Sequence, residues 1–188
     1  DELEEYLKPL FTGYKVNAPC FEKNVYIYRG RIGDKPINIR DISYPPPETI
    51  TNYGRLNDIG KPIFYGAIAR GVPFFELFAI AGDTMALSTW KSTDKLLLNH
   101  IGFTDECRKL TNSNRNLSEI YDFVKDMTNF GDLNNFVYSY LASKFTQIVE
   151  SGEEYKYKLT VAIGRKLLMG NLINGVLYPT IAMSANAD

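Results

Sequence analysis

Three consecutive prolines, Pro45, Pro46 and Pro47, open a stretch that no regular element can run through. Residues 43–62, SYPPPETITNYGRLNDIGKP, add glycines at 54 and 60 and a further proline at 62. Proline lacks an N–H and locks φ, while glycine admits turns that other residues resist. The segment is therefore a long ordered loop. It is bounded by two runs that alternate or are apolar, so the regular elements lie on either side of it.

On the N-terminal side, NVYIYRGRI reads as a strand over residues 25–32, rich in Val, Ile and Tyr. Before it, Leu3, Tyr6, Leu7 and Leu10 recur at helical spacing, predicting a helix over residues 1–12 that Pro9 ends or kinks. After the loop, IFYGAI reads as a short buried strand. GVPFFELFAI follows, with Pro73 suited to a first helical turn, and TMALSTWKS reads as another strand. Residues 116–150 turn helical: LSEIYDFVKDM and LNNFVYSYLASKFTQIVE each bury one face, and Ser118 with Glu119 and Asp122 marks a helix start. YKLTVAIGRKLLM fits a helix or a strand, and the helix is the better fit. GVLYPTIAM reads as a strand broken by Pro179, which places it at an edge or a terminus. Strands and helices at irregular spacing predict one α+β domain.

A length of 188 residues, 45% hydrophobic and 23% charged, fits a single core. Net charge is -1 and pI about 5.9, so no global basic field points to nucleic acid. Cys20 and Cys107 show no CxxC spacing, and a reduced, cytoplasmic compartment fits them best. His100 is the only histidine, which removes two-histidine metal sites and leaves little for classical hydrolase chemistry; no metal is expected. No apolar run reaches the roughly 18–20 residues of a membrane span. The start, DELEEYLKPLF, lacks the pattern of a signal peptide. It carries no methionine, as expected of a processed or partial chain.

The residues able to carry chemistry lie in three separate places. Arg29 and Arg31, two apart in YRGR, share one side of an extended chain beside tyrosines. The loop supplies Arg55 and Asn57. Tyr65 and Glu76 flank the next junction. Glu76 interrupts an apolar stretch, and a carboxylate is expensive to bury unpaired. It is either the polar face of a helix turned to water or a carboxylate held in a pocket opposite arginines.

YRGR, GRLNDIGKPIFYGA, FFEL and GVLYPT, in that order, resemble the RES domain family, whose pattern is a YRAR strand, a GGRWNPPG turn with LYxA, a helical Glu and a terminal G-I-x-YPS. The resemblance covers the chain from about residue 25 to its end. It implies an ADP-ribosyltransferase-like fold with small mixed sheets and surrounding helices: residues 1–24 form a helical lead, and 25–188 a RES-like domain with inserted helices at about 93–155. It implies a toxin that consumes NAD, by phosphorolysis, hydrolysis or transfer of ADP-ribose to a protein, restrained by an antitoxin. No nucleic-acid or membrane partner is expected, and a homo-oligomer is compatible with it.

The family's functional positions fall on Arg29, with Arg31 beside it, on Arg55, Tyr65 and Glu76, and on Thr180. Two of the matches depart from the pattern. Leu56 stands where the family has an aromatic, and Thr180 stands where it has serine. The chemistry suits these residues: guanidinium groups of Arg29, Arg31 and Arg55 match pyrophosphate oxygens. Asn57 adds a hydrogen bond or caps the turn. Nicotinamide is already cationic in NAD and leaves as a neutral molecule, so no general acid is needed. Glu76 would accept the ribose 2'-hydroxyl proton and stabilise an oxocarbenium-like charge. Tyr65 stacks on nicotinamide, lines the pocket, or is a core tyrosine. The Thr180 hydroxyl would position NAD. A degenerate fold acting as a binding module is the reading from another class.

Overall fold

The computed structural model describes residues 2–15, 18, 20–105, 131–168, 172–180 and 182. Helix α1 (Glu2–Phe11) carries Glu2, Glu4 and Glu5 in its first turn and Lys8 in its last, charges that complement the helix dipole. Leu7 is buried, with Leu3 and Leu10 packed beside it. Pro9 lies inside α1 and does not end it. It sits in the last turn, where its missing N–H removes a single bond, and Thr12 closes the end through Oγ1 to the Lys8 carbonyl at 3.0 Å.

Two small sheets follow. Strand β2 (Tyr26–Ile32) pairs antiparallel with β3 (Met85–Lys91), placing Arg29 opposite Ser88 and Gly30 opposite Leu87. The other sheet has the order β1 (Cys20–Phe21), β4 (Leu96–His100), β5 (Gly175–Leu177), with β1 antiparallel and β5 parallel to β4. Strand β5 is an edge and stops before Pro179, as expected.

The strand expected over IFYGAI does not form. That segment touches β2 at one bridge, Tyr28 with Ala67, through two 2.7 Å bonds. Beyond the bridge the Tyr65 carbonyl accepts from Arg29 at 2.8 Å, and the Tyr65 hydroxyl is held by the turn at residues 54–57. Conversely, LLLNH, within the segment 93–155 expected to be inserted helices, forms β4. A leucine run carries no period that distinguishes strand from helix, and non-local pairing decides it.

Helix α2 (Val72–Glu76) has Pro73 in its first turn. It packs on β2 at Gly30, where a Cβ would fall 2.8 Å from Leu77 Cδ1 and 3.0 Å from Pro73 Cβ. Helices α3 (Asp132–Phe145) and α4 (Lys158–Leu167) confirm two of the helical readings. The helix expected to start at Ser118 lies outside the described residues. The core gathers Leu7, Ile101, Val137, Leu141, Phe145, Ala162, Ile163 and Leu167. Each Leu, Ile, Val or Phe among them contributes about 1.5–3 kcal/mol on burial. Leu7 of α1 belongs to this same core, so the N-terminal segment is integral to it. The molecule is α+β. No helix among the described residues is long and apolar enough to cross a membrane.

Candidate functional site

The glycine-bounded turn is built from its own side chains. Gly54 N–H bonds the Asn57 carbonyl at 3.0 Å. Tyr65 Oη accepts from Leu56 N–H at 2.8 Å and donates to Asn57 Oδ1 at 3.1 Å, while Asn57 Nδ2 reaches the Asn52 carbonyl at 3.3 Å. Asn57 Oδ1 folds so closely over Gly54 that a Cβ there would lie 2.0 Å away, so a larger residue at 54 would push the Asn57 amide off its bonds. Both ends of the Asn57 amide are thus committed to the turn. Burial raises the Tyr65 phenol above its ordinary range.

This turn is docked at two points. Leu56 packs against the core, and Gly164 of α4 leaves room for it: a Cβ at 164 would meet Leu56 Cδ2 at 2.5 Å. Arg55 Nη1 donates to the Phe145 carbonyl, and Nη1 and Nη2 reach the Gln147 carbonyl at 3.2 and 3.3 Å. Its guanidinium lies 5.4 Å from the Tyr157 ring centroid and 5.6 Å from that of Tyr178. Arg55 therefore satisfies carbonyls that α3 leaves open at its C-terminus, where a cation is also favoured by the dipole. Arg165 of α4 adds a brace, pairing with Glu4 at 3.0 Å and with Asp58.

Arg29 is half-buried on β2. It donates to the Tyr65 carbonyl at 2.8 Å and lies 5.4 Å from the Phe64 ring centroid. Phe64 in turn packs edge-on to Trp90 at 5.2 Å. Loss of hydration, and then the neighbouring charge of Arg31, lower the Arg29 pKa. Arg31, expected on the same side of the strand, is exposed and donates to the Asp41 carbonyl.

Glu76 is exposed at the C-terminal end of α2 rather than buried among the phenylalanines around it. Its partner comes from far along the chain: Thr180 Oγ1 donates to Glu76 Oε1. The same hydroxyl accepts from Ala182 N–H at 3.2 Å. Thr180 is placed by β5, by Ile101 N–H bonding the Leu177 carbonyl at 2.9 Å, and by Pro179 resting on Gly102. Gly102 has φ +84, and an added Cβ would stand 3.1 Å from Pro179 Cδ.

Tyr178 joins these parts. Burial raises its phenol pKa, and the electrostatic influences of Tyr65, Arg55, Glu76 and Tyr157 all reach it. Three distant segments, holding residues 55–65, 76 and 178–180, thus converge. Arg29 borders this cluster through Tyr65. Arg31 points to a different contact, at Asp41. Tyr157 and Tyr178 escaped the sequence reading: Tyr178 stands in the GVLYPT motif itself, whereas no spacing singles out Tyr157. No cluster of three His, Cys, Asp or Glu able to hold a metal occurs among the described residues. The chain matches no protein-family model, and neither a curated protein nor a solved structure matches it significantly.

Proposed function

We propose that this chain is an NAD-consuming enzyme with an ADP-ribosyltransferase-like RES fold, the toxin of a toxin–antitoxin pair in the cytoplasm. The observation that carries the reading is the hydrogen bond from Thr180 to Glu76, which joins two motif positions 104 residues apart at the Tyr178 cluster. In this reading the C1'–N bond of NAD breaks with its electron pair passing to the nicotinamide nitrogen. Glu76 accepts a hydrogen bond from the ribose 2'-hydroxyl, stays ionised and faces the developing positive charge. Thr180 holds one carboxylate oxygen and leaves Oε2 for the ribose. Arg29 grips the pyrophosphate with its remaining N–H groups, and Arg31 supports it from the same strand. Arg55 and Asn57 act through the turn they hold, and Tyr65 forms the wall between Arg29 and that turn. Phosphate, water or a protein nucleophile captures C1'.

The test is incubation with NAD, with and without phosphate, followed by assay of free nicotinamide. The expected result is NAD loss that Glu76→Gln lowers by about 10²–10³-fold, the usual cost of a transition-state electrostatic contact. Full turnover by a folded Glu76→Gln protein removes Glu76 from the mechanism.

A second reading, a degenerate fold acting as a binding module, is favoured by a specific observation. Arg29, Arg31 and Arg55 each already bond a main-chain carbonyl, which leaves fewer guanidinium N–H groups for a catalytic grip on the pyrophosphate. Saturable NAD binding without nicotinamide release selects it.

A further inference from the structure

Strand β3 is paired along one edge only. Ser92 N–H bonds the Val25 carbonyl at 2.9 Å and Gly33 N–H bonds the Thr84 carbonyl at 3.0 Å, so the even positions of this register face β2. In an antiparallel ladder a residue turns its N–H and C=O to the same side, and successive residues alternate. The main-chain groups of Met85, Leu87, Thr89 and Lys91 therefore point away from β2. Among the described residues no segment pairs with them. The side chains of Thr89 and Lys91 are exposed. The outer edge of β2, by contrast, is partly closed by the bridge from Tyr28 to Ala67.

An open edge is a template for another strand, and proteins usually blunt it by shortness, proline, a bulge or a central charge. The edges of the other sheet obey this rule: β1 has two residues, and β5 has three. Strand β3 has seven residues in unbroken register, no proline, and a single charge, Lys91, at its last position. Its sequence also complements itself. With MALSTWK run antiparallel to a second MALSTWK about Ser88, Met85 stands opposite Lys91, Leu87 opposite Thr89, and Ala86 opposite Trp90. The bulkiest side chain thus meets the smallest. Asp83, two residues ahead of Met85, then stands diagonally across from Lys91 of the second copy, within reach of a long side chain. Asp83 is exposed and uses Oδ2 to accept from Ile80 N–H at 2.9 Å, which leaves Oδ1 for that ammonium. Lys91 Nζ lies 5.8 Å from the Tyr26 ring centroid of its own chain.

We propose that two copies of this chain join edge to edge through β3, forming one four-stranded antiparallel sheet of order β2-β3-β3-β2 with Ser88 on the two-fold axis. Met85, Leu87, Thr89 and Lys91 of each copy exchange main-chain hydrogen bonds with Lys91, Thr89, Leu87 and Met85 of the other. The contact is isologous and closed: both open edges are used up, so assembly stops at the dimer. Two symmetric pairs of Lys91 with Asp83 set the register, since a slip of two residues separates them.

Sedimentation velocity of the full chain at low ionic strength, over a wide range of concentration, should show a reversible monomer–dimer equilibrium. Thr89→Pro removes an N–H that β2 does not use and places a ring against the second strand. It should weaken the dimer by about tenfold or more, with the circular dichroism spectrum unchanged. Lys91→Glu, at an exposed position, sets like charges beside Asp83 and should weaken the dimer by about threefold or more. Adding Asp83→Lys to that variant reverses both charges and should recover most of the loss, which general damage to the fold would not do. Should Thr89→Pro disturb the fold, this charge exchange decides by itself. A parent chain that stays monomeric throughout, a dimer indifferent to folded Thr89→Pro, or a double variant no tighter than Lys91→Glu alone each overturns the proposal.

Discussion

Thr180 illustrates how a single hydroxyl can change role between the sequence and the fold. Its sequence position suggests a group that touches NAD directly. In the structure the hydroxyl donates to Glu76 and accepts from Ala182 N–H, so its proton is committed to the carboxylate. A residue that orients Glu76 should tolerate Thr180→Ser, which keeps the bond. Thr180→Val keeps the shape and removes the donor, which costs about 1–3 kcal/mol, or roughly ten- to a hundredfold. In the NAD assay that loss is expected in kcat, with KM nearly unchanged, because the substrate loses no partner of its own. A Thr180→Val enzyme whose KM rises while kcat holds would return the threonine to direct substrate contact.

At the scale of elements, the turn and the helices hold one another in place. Arg55 reaches the carbonyls at the end of α3, and Leu56 enters the space that Gly164 leaves in α4. Replacing Arg55 by Met should cost about 1–3 kcal/mol, as hydrogen bonds from a charged donor do. Urea unfolding would register it, and NAD affinity should change little if Arg55 is an anchor. A large affinity loss without a stability loss would restore it to the pyrophosphate. Gly164→Val should destabilise by about 1–3 kcal/mol through overpacking against Leu56. Shortening the opposing side chain tests the cause: Leu56→Ala in the Gly164→Val background should recover part of the loss. Strictly additive effects in that double-mutant cycle would mean the two residues do not meet.

At the scale of the whole molecule, β4 carries an acid-sensitive point. His100 is 3% exposed, its ring lies 5.8 Å from Phe21 and 5.4 Å from Phe103, and neither ring nitrogen has a hydrogen-bond partner. Burial lowers its pKa from 6.5 to about 4. Between those values the unfolded chain binds a proton that the folded chain refuses, so stability must fall as pH drops through that window and level off below it. Melting temperatures from pH 7.5 to 4 should decline, and His100→Phe should decline less. Carboxylates held by hydrogen bonds, such as Asp41, give a slope of the same sign at lower pH, which makes the variant comparison necessary. Parallel profiles for parent and variant would clear His100 as the cause.

The amino-acid sequence by itself determined the local matters. Alternation marked β2, the 3.6-residue period marked α1 and α3 and left a helix as the better of two readings for α4, and Pro179 stopped β5. Those signals are carried by neighbours along the chain, where backbone sterics and one buried face suffice. It also marked Arg29, Arg55, Tyr65, Glu76 and Thr180 as residues worth locating. Only the tertiary structure decided what they touch. LLLNH became a strand because Cys20, Phe21 and residues 175–177 supply its partners. IFYGAI made one bridge to β2, and its Tyr65 carbonyl went to the Arg29 side chain. Glu76 met Thr180, and Arg55 met α3, across separations that no local period encodes. Hydrogen bonds between distant groups depend on where the packed core brings the chain back. That return is set by burial summed over the whole molecule rather than by any one segment.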